Sequence, residues 1–216
     1  MKGSWFFIIG AILLVLQGCV TPPDYHYAQF FENHPRSILV LPPFNKTTAV
    51  DAPILFNTTV SVPFAERGYY IFPVFLTSDI LQDLGLSNEG LIAEVSPQRF
   101  KEVFGADAVL FVTINSWATT YLLLASTVTV QANYKLVDTA TGEILWERTE
   151  TVAQGSGGGQ QGLIGMLVSA AVHAMVTDYR PLARQTNNQV VSKTNAGLPA
   201  GPYHPDYKKD YSSYNP

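Results

Sequence analysis

The sequence predicts an α/β protein in which helices pack on a mixed β-sheet. The segments at residues 37–41 and 109–114 are continuously apolar, as strands covered on both faces are, whereas residues 128–136 alternate apolar and polar side chains, as a strand with one solvent-facing side does. Segments with helix start and stop signals separate these strands. This order of elements is typical of an α/β sandwich on a mixed sheet.

An export signal precedes the predicted domain. Lys2 is followed by a run of 12 apolar residues at 5–16, which suits a signal peptide because a membrane-spanning helix needs roughly 20. Gly18 stands directly before Cys19, the only cysteine in the sequence, and the pair predicts a lipobox. We therefore expect a signal peptide at residues 1–18 and a diacylglycerol with a fatty acyl chain such as palmitate on Cys19. The alternative is a buried cysteine behind an uncleaved anchor.

The residue after Cys19 indicates the destination of the chain. Val20 occupies the position at which an aspartate favours retention in the inner membrane. We therefore expect an outer-membrane lipoprotein whose domain lies in the periplasm. Two or more acyl chains hold a protein firmly on a membrane, so the membrane itself is the first expected binding partner.

Composition excludes several classes of function. The net charge is −4 and the sequence contains no Lys/Arg run, so nucleic-acid binding is not expected, because neutralising phosphates requires clustered cations. With Cys19 acylated, no thiol remains for a disulfide or a cysteine metal site. The four histidines are far apart in the sequence and form no ligand pair, so we expect neither a metal nor another cofactor: His26, His34, His173 and His204.

The first predicted elements follow the lipidated residue. Residues 19–36 are predicted to be a tether that carries an aromatic patch, and residues 37–41 to be the first central strand. Asp51 can cap a helix that runs toward Gly68. Pro63 is expected to kink or end this helix, because proline removes a backbone donor and clashes with the preceding turn.

A short strand and two surface helices come next. Residues 69–75 are aromatic and β-rich, and Pro73 within them predicts a position at the sheet edge. Ser78 and Ser96 are each placed to cap a helix. The second of these helices is expected to end at Gly105, since glycine commonly terminates helices.

An antiparallel hairpin is the clearest local prediction. After the buried strand at residues 109–114, the alternating strand at 128–136 leads into a turn at 138–142 that contains glycine. Residues 143–152 then return as the partner strand.

The last part of the chain is predicted to contain a loop, a helix and a tail. Residues 154–162 are a glycine-rich loop, and residues 163–179 form an apolar helix packed across the sheet. The single periplasmic domain then spans residues 37–182, and residues 183–216 form a flexible tail. Four tyrosines in the tail are either simply disordered or order on an envelope partner: Tyr203, Tyr207, Tyr211 and Tyr214.

Three groups of residues are candidates for catalysis or ligand binding, and each also has a structural interpretation. Ser169 and His173 are one helical turn apart, but the serine lacks a G-x-S-x-G turn, so a polar stripe at an interface is the preferred interpretation. Residues 155–162 lack the G-K-[ST] ending of a phosphate-binding loop and are interpreted as a hinge. Asp107 and Asp138 stand at strand ends; we interpret Asp138 as a turn former. We therefore predict no catalytic, cofactor or metal site.

Four ordered motifs resemble a known family. The segments at residues 35–45, 66–74, 104–114 and 136–147, which read PRSILVLPPFN, ERGYYIFPV, FGADAVLFVTI and LVDTATGEILWE, are similar to a family of bacterial lipoproteins without an assigned function. This family includes a Neisseria surface lipoprotein that is a vaccine candidate. The resemblance covers residues 28–182. More distantly, the motifs resemble the curli-secretion (CsgG-like) lipoprotein fold and the amino-terminal domain of TolB.

The resemblance implies an envelope lipoprotein without established enzymatic activity, typically encoded beside a CsgG-like lipoprotein. We therefore expect a non-catalytic, outer-membrane-anchored accessory of assembly or secretion that acts through protein–protein contacts, with a CsgG-like lipoprotein as the candidate partner. Two alternatives remain open. One is a regulator of a peptidoglycan synthase, which a tether of about 17 residues disfavours, and the other is an envelope hydrolase. Self-association into a homo-oligomer also remains open.

Overall fold

The structure, a computed structural model, describes residues 27–122, 125–155 and 178–214. Its strands and helices lie in those three stretches of the chain. In chain order they are α1 (Ala28–Asn33), β1 (Ser37–Val40), β2 (Phe44–Asn45), α2 (Ala52–Glu66), β3 (Tyr70–Ile71), α3 (Val74–Asp83), α4 (Glu89–Ala93), α5 (Pro97–Phe104), β4 (Ala108–Leu122), β5 (Ala125–Asp138), β6 (Ile144–Gly155) and α6 (Arg180–Ser192).

The six strands form one mixed sheet, as the sequence predicts. The strand order is β3-β1-β4-β5-β6, and β2 pairs with β4 beyond the end of β1. β1 lies parallel to both β3 and β4, whereas β5 lies antiparallel to both β4 and β6. Parallel strands are normally covered on both faces, and accordingly Ile38, Leu39 and Val40 are all buried.

The alternation in β5 sets which face of the sheet is the core. Five of its side chains are buried on one face, while Gln131, Asn133 and Lys135 point to the other face and are partly exposed. The predicted hairpin is confirmed, since β5 pairs with β6 from Thr127 to Val137. The buried side chains are Val128, Val130, Ala132, Tyr134 and Leu136.

Helices cover the two faces of the sheet unequally. On the face that carries Val128 to Leu136, α2 and α6 pack side by side and enclose the main core with Phe56, Phe64 and Val190. On the opposite face a smaller core lies under α3, α4 and α5 and includes Leu81, Ile92 and Phe100. Beyond that smaller core, the polar side of β5 and β6 faces solvent with cross-strand bonds such as that between Gln131 Nε2 and Thr151 Oγ1, 2.7 Å long.

The helix boundaries correct several sequence predictions. α2 forms as expected, but Pro63 does not end it, and the Asp51 side chain makes no capping hydrogen bond. The strand predicted at residues 69–75 is reduced to Tyr70–Ile71 at the sheet edge. Ser78 is not a cap: α3 begins four residues earlier, and the Ser78 hydroxyl donates to the Val74 carbonyl instead.

Of the two remaining helices in this region, α5 was predicted and α4 was not. α5 runs from Pro97 and is followed by Gly105 in the left-handed conformation, as predicted. α4 is capped by Asn88, whose Oδ1 accepts a hydrogen bond from the Leu91 backbone N–H at 3.0 Å, which is the ordinary role of asparagine at a helix start.

The end of the predicted tether belongs to the domain. Residues 28–33 form α1, and Tyr27 and Phe30 are each only 2% exposed. The Tyr27 hydroxyl donates to the Gly197 carbonyl at 2.8 Å, which joins the start of the described chain to its last third. The boundary predicted at residue 37 is therefore wrong, since the folded chain already includes Tyr27.

The prediction of a disordered tail from residue 183 is also wrong for the residues that the structure describes. α6 buries Leu182, Ala183, Val190 and Val191 against the sheet. After it, residues 197–214, which we call the C-terminal segment, continue across the domain. Two of the tail tyrosines pack on the N-terminal helix: the rings of Tyr27 and Tyr214 are 4.8 Å apart and those of Phe31 and Tyr211 are 4.2 Å apart.

Arg67 fastens this segment to the end of α2. Its guanidinium donates through Nε to the Leu198 carbonyl and through Nη2 to Asp210 Oδ2 at 2.8 Å and the Tyr214 hydroxyl at 2.9 Å. The Tyr69 hydroxyl adds a bond to the Pro199 carbonyl at 2.6 Å. One charged side chain thus serves three acceptors in the segment.

Several predicted features lie outside the described residues. These are the signal peptide, Cys19, the loop beyond Gly155, most of the predicted helix at residues 163–179, and Ser169 with His173. Among the described residues, no helix is both long enough and apolar enough to cross a membrane.

Candidate docking surface

Asp107, one of the two carboxylates predicted at strand ends, acts as a structural acceptor. Its Oδ2 accepts hydrogen bonds from the Arg36 backbone N–H at 3.1 Å and the Ser37 hydroxyl at 3.2 Å, and its Oδ1 accepts one from Lys101 Nζ at 3.0 Å. Partial burial acts to raise the pKa of Asp107, but the hydrogen bonds from Lys101 and Arg36 outweigh it and hold the pKa below its usual value. The carboxylate ties β4 to β1 and α5.

Asp138 forms the turn between β5 and β6, as predicted. Its Oδ1 accepts hydrogen bonds from the backbone N–H groups of Ala140 and Thr141, both at 2.8 Å. Aspartate commonly closes turns in this way. Both strand-end carboxylates are therefore occupied by groups of their own chain.

The histidines that the structure describes are apart from one another. His34 Nδ1 is 2.9 Å from the Tyr211 hydroxyl, and His204 Nδ1 accepts a hydrogen bond from the Asp206 backbone N–H at 3.1 Å. Within residues 27–122, 125–155 and 178–214, no three His, Cys, Asp or Glu side chains are grouped as metal ligands.

A buried chain of hydrogen bonds crosses the main core. The Tyr134 hydroxyl donates to Asn187 Oδ1 at 2.7 Å, and Asn187 Nδ2 donates to Thr59 Oγ1 at 3.0 Å. Burial raises the pKa of Tyr134 well above its ordinary value, with a further contribution from the negative charge of Glu150. The three side chains are almost completely enclosed, so this chain aligns β5, α6 and α2 and offers no access to a substrate.

An open groove lies where α2, α3 and α4 meet. It has a volume of about 750 Å³, within the usual range for binding pockets. The buried side chains of Leu81 and Ile92 contribute to its lining, together with Pro42, the largely exposed Ile54 and Leu86. These five apolar side chains are half of the side chains in the lining, and the other half are polar.

Exposed apolar side chains are concentrated in the stretch of chain that forms the groove. Of the ten large apolar side chains exposed in the described residues, eight lie between residues 50 and 91. Exposed apolar patches of this kind mark interaction sites more often than chance exposure does. We call this surface the groove flank; its exposed members are Val50, Ile54, Val62, Tyr70, Phe75, Leu76, Leu84 and Leu91.

α2 itself suggests that this flank is incomplete. Apolar side chains lie around nearly the whole circumference of the helix, and such helices are normally buried on all sides. One side of α2 packs in the core with Phe56, Val60 and Phe64, yet Ile54 is 73% exposed and Val62 is 56% exposed. The open side of α2 therefore resembles a helix surface that lacks a neighbour.

The groove has fixed walls. Gly85 ends the turn after α3 with a φ of 79°, a conformation that favours glycine. Beyond it, Asn88 caps α4, and Glu89 Oε2 accepts a hydrogen bond from the Asn45 backbone N–H at 3.1 Å, which ties α4 to β2. These contacts fix the position of α4 against β2.

Acidic residues are concentrated in the stretch of chain that forms the groove, and we call the exposed ones next to lining residues the rim carboxylates. Residues 37–98 hold six acidic side chains and two basic ones, so this stretch alone carries a net charge of −4, equal to that of the whole chain. Four of the six are exposed and stand within three residues of a lining side chain. Among the described residues no ion pair involves any of these four: Asp51, Asp79, Asp83 and Glu94.

This surface is not among the features predicted from the sequence, although the sequence contains two signals for it. The apolar circumference of α2 and the concentration of acidic residues in 37–98 can both be read from the sequence. Their combination into a groove depends on how three helices meet, which local patterns do not determine.

The chain is similar to known proteins over most of its length. Residues 25–203 match the model of a family described as "Putative lipoprotein GNA1162-like". A Neisseria meningitidis serogroup B protein named "Putative lipoprotein NMB1124/NMB1162" is 35% identical over 195 residues, which are 89% of this chain and 88% of the relative. The crystal structure of lipoprotein GNA1162 from Neisseria meningitidis has a TM-score of 0.55 at 36% identity and covers 67% of this chain and 100% of that chain.

These matches confirm the resemblance drawn from the four sequence motifs. They also extend it, because the family model continues to residue 203 whereas the motifs suggested an end at residue 182. The added residues include most of α6 and the first part of the C-terminal segment.

Proposed function

The chain belongs to the GNA1162-like lipoprotein family, and from that premise we propose that it is a non-catalytic accessory protein of the bacterial envelope that binds other proteins through the groove flank. The single observation that carries the proposal is the open groove at α2, α3 and α4, which is accompanied by exposed apolar side chains and by carboxylates that form no ion pair among the described residues. A surface of this kind is suited to docking because burying it removes apolar area from water.

Anchoring at the outer membrane is part of the same proposal. Lipid on Cys19 leaves seven residues before Tyr27, and a fully extended chain of that length spans at most about 25 Å. The domain would then stay close to the membrane surface. Restriction to one leaflet raises the effective concentration of any partner held there, so a modest affinity in the groove is sufficient.

The identity of the partner stays a prediction. A CsgG-like lipoprotein remains the candidate that the family resemblance implies, and a second copy of the chain is the competing occupant. Both are proteins, so the docking function does not depend on the choice between them.

The proposal is tested by cross-linking in intact cells, followed by purification of the full-length chain and its adducts. Wild-type protein is compared with Cys19→Ser and with Ile54→Gln, which changes an exposed groove side chain. Ile144→Gln is the matched control, because Ile144 is also an exposed isoleucine but lies outside the groove flank.

We expect the adducts to be lost from Cys19→Ser, to be reduced in Ile54→Gln and to persist in Ile144→Gln. Equal adducts for the two isoleucine variants would show that docking does not use the groove. A Cys19→Ser chain that still fractionates with the outer membrane would contradict the lipid anchor.

A further inference from the structure

We infer that the groove takes a basic, amphipathic helix of a partner protein. This inference rests on the proposed docking function and adds the chemistry and the form of the segment that binds. Three features of the groove flank lead to it: its charge, the short strand at its edge, and the spacing of its apolar side chains.

The charge of the flank selects a cationic partner. The four exposed carboxylates at the rim have no ion-pair partner among the described residues, and of the two basic side chains in residues 37–98, Arg67 is engaged by Asp210 at 2.8 Å. The remaining basic side chain is Lys46. Complementary charge steers association and penalises like-charged partners. A segment with lysine or arginine beside its apolar side chains therefore fits this rim.

The same charge disfavours two other occupants. Two grooves facing each other in a symmetric dimer would bring eight rim carboxylates together, since each chain contributes four. The rest of the chain carries equal numbers of acidic and basic residues, so it has no net positive charge that would attract the groove of a second copy. An anionic lipid surface would be repelled by the rim.

The form of the segment follows from the neighbouring elements. β3 at the sheet edge has only two residues, too few to extend the sheet with an added strand. The walls of the groove are helices, and Ile54 and Val62 lie two turns apart on the open side of α2, about 12 Å along its axis. A helix that presents apolar side chains at i, i+4 and i+7 matches this length.

The test places a photoreactive benzophenone amino acid at Leu91, an exposed position between Gly90 and Ile92, which both line the groove. The full-length chain is expressed in cells at its native level and irradiated. The adduct is then digested, and the cross-linked partner peptide is sequenced by mass spectrometry. The control position is Gln189, which is exposed on α6 away from the groove.

We expect an adduct at Leu91 whose partner peptide comes from another protein, carries a net positive charge and has apolar residues at helical spacing. A peptide from a second copy, a lipid adduct, or a neutral or acidic peptide would overturn the inference while leaving open docking by other chemistry. No protein adduct at Leu91, together with unchanged partners in Ile54→Gln, would overturn the inference and the proposed function together.

Charge reversal provides the second arm of the test. Asp79→Lys/Asp83→Lys should lower the yield of the Leu91 adduct about tenfold, because each reversed charge replaces attraction by repulsion. The matched control is Glu143→Lys/Glu147→Lys, a pair of exposed carboxylates of which the first directly precedes β6 and the second lies on it. Equal yields in the two double variants would show that charge does not select the partner, provided that circular dichroism shows both variants folded.

Discussion

Two apolar surfaces of this chain differ in whether the described residues cover them. The aromatic surface around Tyr27 and Phe31 is covered by the C-terminal segment, which brings Tyr211 and Tyr214 onto it. The groove flank has comparable apolar side chains, yet no described segment covers it. Because the chain supplies its own cover in one place, the open surface in the other is better explained by a partner than by a general tolerance of exposed apolar residues.

The two surfaces also differ in how their polar groups are used. Beside the aromatic surface, Arg67 serves Leu198, Asp210 and Tyr214, so that charge is neutralised within the chain. At the groove the carboxylates of Asp79 and Asp83 are exposed and unpaired among the described residues. A surface covered by the chain itself and an exposed surface thus occur in one domain, and their energetics can be tested separately.

The largest expected effect comes from removing the cover. Truncation after Lys193 deletes the fully buried Leu198 and Ala200 and exposes Tyr27. We expect the free energy of unfolding to fall by about 5 kcal/mol, because each large buried side chain contributes roughly 1.5–3 kcal/mol. Urea denaturation of the lipid-free domain measures this loss. A change below about 1 kcal/mol would mean that the segment is not part of the folded core.

A smaller effect is expected where the segment crosses the end of α2. Gly68 has a φ of +90°, and a Cβ on it would lie 2.5 Å from the His204 backbone nitrogen. Gly68→Ala should therefore destabilise the domain by about 3 kcal/mol, through backbone strain and through displacement of the segment. Thermal and urea denaturation would both report it.

Gly85→Ala is the matched control for this substitution. Gly85 also has a positive φ, +79°, but a Cβ there meets nothing within 4 Å. Gly85→Ala should therefore destabilise the domain only through backbone strain, by about 1 kcal/mol. Equal losses at the two glycines would show that close packing of the segment contributes little.

The covered part and the open part of the molecule were not equally predictable from sequence. The β5–β6 hairpin and the turn at Asp138 follow from a period-two pattern and local turn chemistry, and both form as predicted. α6 was missed because its buried face at residues 182–191 includes Thr186 and Asn187, which read as polar. Their burial is compensated by hydrogen bonds, since Asn187 binds the distant Tyr134 and Thr59 and the Thr186 hydroxyl donates to the Leu182 carbonyl within the helix.

The groove was missed for a related reason. Its lining residues are up to 50 positions apart, from Pro42 to Ile92, and no local pattern connects them. The start of α3 was also misplaced, because Ser78 satisfies a cap rule but lies in mid-helix and bonds to the Val74 carbonyl. Where a side chain has two local options, tertiary packing decides between them.

A modest pH effect is expected on the covered side, where Asp107 lines a polar cavity with Tyr207 and Lys208 of the C-terminal segment. Since the pKa of Asp107 is lower in the folded state, its contribution is present above the unfolded value and is lost as pH falls from about 4 through the folded value. Its side chain is 35% exposed, so solvent screening keeps the contribution below about 1 kcal/mol.

Asp107→Asn should abolish this part of the acid sensitivity. The quantity to measure is the difference in unfolding free energy between pH 7 and pH 2.5, in wild type and variant. The variant should show the smaller difference. A larger difference in Asp107→Asn would contradict the lowered pKa.

The smallest expected effect tests whether the groove flank is open in solution. Ile54→Gln changes a side chain that is 73% exposed, so the free energy of unfolding should change by less than about 0.5 kcal/mol. Binding of a hydrophobic fluorescent dye should decrease, because apolar surface is lost from the groove. If instead the substitution destabilises the purified domain by about 2 kcal/mol or more, as truncating a buried side chain does, then some other part of the chain covers Ile54. In that case both apolar surfaces are covered by the chain itself, and docking would have to use another face of the domain.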